Sequence, residues 1–279
     1  MSAEIRITAL VENTAGHGLL GEHGLALWIE TPAGAVLLDT GQGEVLLRNA
    51  RALGTELPSA KAIILSHGHY DHTGGLPAAM SEARHARVFM HPAAIGPKFT
   101  RRPAGRLRNI GMPDTARKAV QQHAARVVWI ERPTEVLPGL HATGPIPRVT
   151  EFEDTGGAFF LDADGLVPDT LVDDQAVWFD APEGVVVLLG CAHAGVVNSV
   201  MYVRQLAGGR PIYAVVGGMH LLAASDIRMA TTVAALREMD VQRVAMSHCT
   251  GFAAMARLYH ELPGRCFHCT AGTRLEFRS

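Results

Sequence analysis

Along this chain, short runs of branched and aromatic apolar residues alternate with stretches whose apolar positions recur at helical spacing. The short runs predict strands over Ile5–Val11, Leu25–Glu30, Ala35–Asp39, Ala62–Leu65, Arg87–Met90 and Val127–Ile130. Further strands are predicted over Ala176–Phe179, Val185–Leu189, Ile212–Val216, Arg243–Met246 and Thr273–Phe277. Helical spacing predicts helices over Glu44–Leu53, Leu76–Ala83, Thr115–Ala124, Val196–Leu206, Asp226–Met239 and Gly251–Leu262. In Asp226–Met239, Ser225 offers a capping hydroxyl, and Ile227, Ala230, Val233, Ala234 and Leu236 define an apolar face. Gly34, in Thr31-Pro32-Ala33-Gly34, predicts the hairpin turn between the second and third strands. Strands thus open as hairpins and then alternate with helices. That order predicts an α/β (α+β) fold in which helices cover sheets, not a helix bundle or an all-β sandwich.

Two segments break the rhythm and predict surface loops. Gly96–Pro113 carries Lys98, Arg101, Arg102, Arg106 and Arg108 among Pro97, Pro103, Gly105 and Gly111, while Glu151–Asp174 is acidic and punctuated by glycines. The basic loop, 96–113, is either a solvated charged surface or a mobile lid whose Arg101 and Arg106 grip phosphate or carboxylate. Arg148, in Thr143-Gly144-Pro145-Ile146-Pro147-Arg148, is a second candidate anion contact.

Composition narrows the class. With 48% hydrophobic and 19% charged residues the chain has an ordinary globular balance, which excludes disorder. A formal net charge of −2 provides no global field to recruit nucleic acid or an anionic membrane, so a small anionic molecule is the expected partner. No apolar stretch approaches the roughly 20 residues that span a bilayer. Met1–Ile7 lacks a basic region followed by an apolar run, so no signal peptide is expected. Cys191, Cys249, Cys266 and Cys269 are too few and too clustered for a secreted disulfide framework, and the expected compartment is the cytoplasm. Fourteen histidines direct attention to metal chemistry.

The densest group is His67-Gly68-His69-Tyr70-Asp71-His72, between the strand ending at Leu65 and the turn at Gly74-Gly75. A loop at a strand's C-terminal end lets side chains converge from a rigid sheet. His67 and His69, two apart in extended chain, can share one ion, and Asp71 with His72 suits a second. Imidazole and carboxylate donors fit zinc, one ion or two, and also manganese or iron.

Ser66–Gly75, Ser-His-Gly-His-Tyr-Asp-His-Thr-Gly-Gly, resembles the signature of the metallo-β-lactamase superfamily. Leu37-Leu38-Asp39-Thr40-Gly41 resembles the segment that shapes the sheet end beside the metals there, which makes Asp39 a ligand or near-site residue. The resemblance implies a four-layer αββα sandwich, one domain over residues 1–279, with the site along one sheet edge. It is strongest toward a subgroup containing dihydropterin-ribofuranosyl-aminobenzene phosphate synthases and metal-dependent hydrolases. The matching segments are Glu22-His23-Gly24, Gly190-Cys191-Ala192-His193-Ala194-Gly195, Gly217-Gly218-Met219-His220-Leu221 and Ser247-His248-Cys249-Thr250-Gly251.

The chain also departs from the superfamily pattern of a lone histidine, then a bridging aspartate, then a final histidine. Cys191 stands in the aspartate's place, and His85, His91, His123 and His141 lack a Gly-His-Thr context. His193 is inferred to supply the missing first-ion ligand, against the alternative of a capping or core histidine. It also precedes the Val196–Leu206 helix, whose N-terminal amides favour an anionic group nearby. Sequence order favours His220 as the closing ligand, whereas superfamily members with an extra strand favour His248. His248 is taken here as the ligand, and His220 as substrate-facing or proton-transferring. Cys191 is a thiolate ligand or an inert buried residue, and Cys249 reads as inert. Cys266-Phe267-His268-Cys269 lacks the partner pair of a zinc knuckle.

The resulting expectation is a hydrolase whose metal-bound hydroxide attacks a small ester, lactone or phosphate-containing substrate, with Asp71 or His220 moving the proton. A transferase of the dihydropterin-methyl type, acting on a ribofuranosyl-aminobenzene phosphate-like substrate, is the alternative that the resemblance implies. A non-catalytic metal-dependent sensor or binding protein is the alternative of another class. Substrate and oligomeric state leave no mark in the sequence.

Overall fold

The computed structural model describes residues 4–101 and 105–278. The first half runs β1 (Glu4–Val11), β2 (Ala26–Thr31), β3 (Gly34–Leu38), α1 (Leu46–Ala52), β4 (Ala60–Ile64), α2 (Tyr70–Thr73), α3 (Leu76–Glu82), β5 (Arg87–Met90), β6 (Phe99–Arg101), β7 (Leu107–Asn109), α4 (Asp114–Gln122) and β8 (Val127–Trp129). The second half runs β9 (Thr134–Leu137), β10 (Leu140–Ala142), β11 (Phe159–Phe160), β12 (Ala176–Ala181), β13 (Gly184–Leu189), α5 (Val196–Leu206), β14 (Ile212–Gly218), α6 (Asp226–Glu238), β15 (Arg243–Ser247), α7 (Phe252–Glu261), β16 (Cys266–His268) and β17 (Arg274–Arg278).

Two large sheets result, ordered β17-β1-β2-β3-β4-β5-β8 and β16-β15-β14-β13-β12-β10-β9. In each, antiparallel strands lead into a parallel block, β3-β4-β5-β8 in the first and β13-β14-β15-β16 in the second. Strand alternation explains why the parallel runs read as continuously apolar: both faces are buried. In β3, Val36 and Leu38 face the core between the sheets, while Ala35 and Leu37 face the helices. In β13, Val186 and Leu188 face inward, whereas Val185, Val187 and Leu189 face the opposite way. Residues of α1, α3 and α4 join the outer cluster of the first sheet, and those of α5, α6 and α7 that of the second. The architecture is a four-layer αββα sandwich. Fully buried residues such as Leu27, Ile29, Ile64 and Phe179 carry its central layer, each contributing about 1.5–3 kcal/mol.

Several expectations need correction. Gly96–Pro113 is no open loop: β6 and β7 form a hairpin with Thr100 opposite Arg108, and β11 joins it in a small third sheet. Its strands are three residues long and largely polar, so they offer no apolar alternation to read. Arg102 lies outside the described residues. Glu151–Asp174 contributes β11 and buries Glu153, Asp169, Leu171, Asp173 and Asp174. The β9–β10 hairpin was not anticipated at all. In α6, Ser225 does cap, its Oγ accepting the Arg228 N–H at 3.2 Å. Of the predicted apolar face only Val233 and Leu236 are buried. Ile227, Ala230 and Ala234 are exposed, and Arg228, Met229, Thr232, Val233 and Leu236 are buried. Alanines distributed around that helix leave the sequence without a decisive face.

Candidate metal centre

Parallel strands end where the chain must turn, and here those ends meet. Asp39 follows β3, Ser66–His72 follow β4, Cys191 and His193 follow β13, His220 follows β14, and His248 follows β15. Gln175 ties the sheets together at this edge: its Nε2 donates to Leu65 O at 2.8 Å and its N–H to Ser66 O at 3.0 Å. Asp39, Ala192, His220 and His248 all have positive φ, between 44° and 60°. Left-handed backbone at non-glycine residues costs on the order of 1–3 kcal/mol each and clusters at functional sites. Gly68 is required for a different reason, since a Cβ there would stand 2.2 Å from Ala94 O.

His67, His69 and His193 form a first nest, with one ring nitrogen from each lying within 4.8 Å of the others. His67 Nε2 is 3.0 Å from His69 Nδ1. Ser66 Oγ fixes His67 Nδ1 at 2.9 Å, and Thr155 O accepts from His193 Nδ1 at 2.9 Å. His69 Nε2 and His193 Nε2 are buried and meet no hydrogen-bond partner among the described residues. Burial, followed by repulsion from neighbouring imidazoles, holds His67 and His193 well below the usual histidine range; burial does the same to His69 against the pull of Asp71. These rings are therefore neutral, the form in which imidazole binds a metal.

A second nest joins Asp71, His72, Cys191 and His248. His72 Nε2 lies 3.1 Å from Cys191 Sγ and 3.2 Å from His248 Nε2, and Asp71 Oδ2 lies 3.4 Å from His248 Nε2. Its charge balance is the reverse of the first. Burial works against a charged His72, but Asp39, at 2.7 Å from Nδ1, and Asp71 overcome it and raise the pKa to about 9. Burial pushes Asp71 up, but hydrogen bonds from His23 and His248 hold it well below the carboxylate range. Asp39 is accordingly a positioning residue: its oxygens take the Ser66 N–H at 2.7 Å, the Ser66 hydroxyl at 2.6 Å and His72 Nδ1.

The donor chemistry fits divalent cations. All-imidazole and imidazole–carboxylate–thiolate sets both suit zinc, and the orphaned nitrogens of the first nest lack any other occupation.

His248 groups with the second nest, its Nδ1 2.9 Å from Asn13 Oδ1 and its N–H donating to Glu12 Oε1 at 2.6 Å. His220 packs against His193, ring centroids 4.2 Å apart, with Nδ1 buried and unpartnered. Burial opposes a proton on His220, but Cys249 beside it raises its pKa. Both nests open on a cleft of about 550 Å³ lined by His23, His69, Tyr70, Asp71, Arg108, Phe159, His220, His248, Phe252 and Met255, among others.

The predicted anion contacts fare differently. Arg101 lies over the Phe160 ring at 4.9 Å and donates to Gly165 O at 3.3 Å, bracing the small sheet away from the cleft. Arg106 is exposed on the hairpin turn and does not line the cleft. Arg148 is corrected outright: its guanidinium donates to the carbonyls of His193 at 2.5 Å, Thr170 at 3.1 Å and Ala194 at 3.4 Å, so it holds the His193 loop. Among the described residues, the arginine that lines the cleft is Arg108, over the Tyr70 ring at 4.8 Å. Lys98, read as part of a basic surface, is 1% exposed and paired with Asp169 at 3.0 Å and Asp173 at 2.8 Å. Asp173 also takes the Gly68 N–H at 2.8 Å, linking the hairpin to the histidine loop.

Sequence reasoning missed His23 as a site residue, although its Nε2 stands 3.1 Å from Asp71 Oδ2. The Glu22-His23-Gly24 segment was the available signal, but nothing in its spacing tied it to Asp71. Glu12, Asn13 and Phe159 gave no signal.

A family model for the metallo-beta-lactamase superfamily matches residues 20–248. A 7,8-dihydropterin-6-methyl-4-(beta-D-ribofuranosyl)-aminobenzene-5'-phosphate synthase of Methanocaldococcus jannaschii is 30% identical, covering 98% of this chain and 97% of its own length. An uncharacterized protein of the same organism is 32% identical over 90% of this chain and 93% of its own. Among solved structures, a metal-dependent hydrolase of the beta-lactamase superfamily matches with a TM-score of 0.82 at 31% identity, covering 99% of this chain and 100% of that one.

Proposed function

The chain belongs to the metallo-beta-lactamase superfamily, and from that premise we propose that it is a metal-dependent hydrolase of a small anionic ester, lactone or phosphate-containing substrate. The observation that carries the reading is the pair of buried, unpartnered nitrogens, His69 Nε2 and His193 Nε2, beside the cleft. Two such groups sealed from water cost several kcal/mol unless a ligand occupies them. His67, His69 and His193 would hold one cation; Asp71, His72 and His248, with Cys191, would hold a second. Zinc suits both sets, and manganese or iron would suit the first. A divalent cation held there polarises a carbonyl or phosphoryl oxygen and acidifies water.

The residues supply the rest. Arg108 at the cleft wall is the cation best placed for a carboxylate or phosphate, and Tyr70 and Phe159 offer apolar area to the body of the substrate. His220, which lines the cleft and packs against His193, is the group to protonate a leaving oxygen. Asp71 is held ionised and serves as ligand and proton acceptor together with His23.

A second reading, transfer to an organic acceptor instead of water, is favoured by the synthase relative aligned over nearly the whole chain. The readings separate in one experiment. The protein is loaded with zinc, manganese or iron and offered phosphodiesters, lactones and thioesters singly. Turnover with one organic substrate and water supports hydrolysis. Turnover only with a second organic substrate replaces it with transfer. Absence of stoichiometric metal in wild type after reconstitution with each ion would overturn both.

A further inference from the structure

We propose that Cys249 makes the second nest a two-sulfur site, its Sγ joining Cys191 Sγ as a ligand to the cation that Asp71, His72 and His248 would hold. The inference rests on the metal-dependent reading above and changes its chemistry: it assigns the donor atoms that would select the ion.

The backbone aims this sulfur. β15 ends at Ser247, and His248 then takes φ of 50°, a left-handed turn that directs its ring and the next side chain toward the same place. Donor atoms of Cys191, His248 and Cys249 consequently fall within 4.8 Å of one another. Cys191 Sγ is at the same time 3.1 Å from His72 Nε2, so the two sulfurs and two imidazoles form one continuous group. Cys249 Sγ takes the His220 N–H at 3.3 Å, the kind of donor that a thiolate accepts.

Room for the sulfur is built in. At the end of β14, a Cβ on Gly218 would stand 2.4 Å from Gly190 O and 2.7 Å from Cys249 Sγ, so the same glycine that lets two backbones approach also leaves space for the sulfur. An inert buried cysteine packs as a small apolar group. Cys266 and Cys269 do so: each lies in a hydrophobic cluster, and among the described residues neither joins a donor group. Cys249 faces imidazole, thiol and the His220 N–H instead, with the Cys191 carbonyl oxygen at 3.7 Å as its only other polar neighbour among the described hydrogen bonds. Two thiolates with imidazole favour zinc over manganese, because soft sulfur ligands discriminate against harder ions.

Cobalt(II) reports sulfur ligation directly, through near-ultraviolet sulfur-to-cobalt charge-transfer absorption, and its visible ligand-field bands show separately that the ion is bound in a folded site. With the cobalt-loaded protein, Cys249→Ser is expected to lose about half of the charge-transfer absorption, as is Cys191→Ser, and the double variant all of it. Charge-transfer absorption unchanged in Cys249→Ser overturns the proposal. Zinc-edge X-ray absorption on the unaltered protein gives the answer without a variant. Two sulfur scatterers per chain are expected, and one or none would overturn it. Cobalt or zinc bound with nitrogen and oxygen donors alone removes only this inference; no uptake of either ion removes the metal-dependent reading as well.

Discussion

The two nests share one sheet edge and are built on opposite electrostatic plans. The first is three neutral imidazoles with two ring nitrogens sealed from any partner. The second is a network in which each group already has one, with a proton on His72 favoured by Asp39 and Asp71. A cation entering the first nest displaces nothing; one entering the second must displace that proton. The first should therefore bind metal over a wide pH range, and the second more weakly as the solution is acidified. Each nest also has an outer carboxylate, and these differ in the same sense. Asp39 has both oxygens engaged, whereas Asp174 takes the Ala194 N–H at 2.7 Å on one oxygen and leaves the other buried without a partner.

The sharpest way to break this comparison is to remove one ligand from each nest. His193→Ala is expected to lose the ion of the first nest, with affinity falling beyond the roughly 10–100-fold typical of outer-shell changes. The second ion should remain. Elemental analysis of dialysed protein reads this, and equal loss of both ions would mean that the nests are not independent.

Asp174 tests the folding side. Burial raises its pKa to about 7. The folded protein therefore binds more protons than the unfolded chain between about pH 4 and 7, so stability present at low pH is lost as pH rises through that window. Asp174→Asn should abolish this slope and be more stable than wild type at neutral pH by a few kcal/mol. Thermal melts across the window measure it, and parallel pH profiles for the two proteins would refute the assignment.

Asp39→Asn should weaken metal binding by about 10–100-fold in the second nest, whose His72 it touches, and less in the first, which it reaches only through Ser66 and His67, read by competition with a chelator at fixed pH. A larger loss from the first nest than from the second would move Asp39 into the other half of the comparison. The smallest effect is expected from Arg108→Ala, which should raise KM for an anionic substrate about fivefold, roughly 1 kcal/mol, with kcat little changed. An unchanged KM would leave the cleft without its anion contact.

What could be read in the sequence was what is local. Runs such as Val185–Leu189 are buried on both faces and announce themselves, and His67–His72 lies within one loop, so its density survives without the fold. Residues brought together from distant loops were not legible. Lys98 looks like its arginine neighbours, yet it is sealed against Asp169 and Asp173, which arrive from a stretch that reads as acidic surface. Glu12 and Asn13, which hold His248, sit at the far end of the chain from it. The hairpin of β6 and β7 failed for a related reason. Its stability comes from a partner strand, Phe159–Phe160, and not from a pattern of its own.

The pairing of β1 with β17 has a consequence for biosynthesis. Glu4 lies opposite Arg278 and Thr8 opposite Arg274, so β1, once made, waits for the much later β17. Every proposed donor residue, from His67 to Cys249, leaves the ribosome before Arg274. In that interval β1 presents Ile5 and Ile7 along an unpaired edge, the kind of surface on which nascent chains stick to one another. A chaperone holding that edge would cover β1 until β17 is made, and a truncation before Arg274 would retain every proposed ligand yet be expected to aggregate.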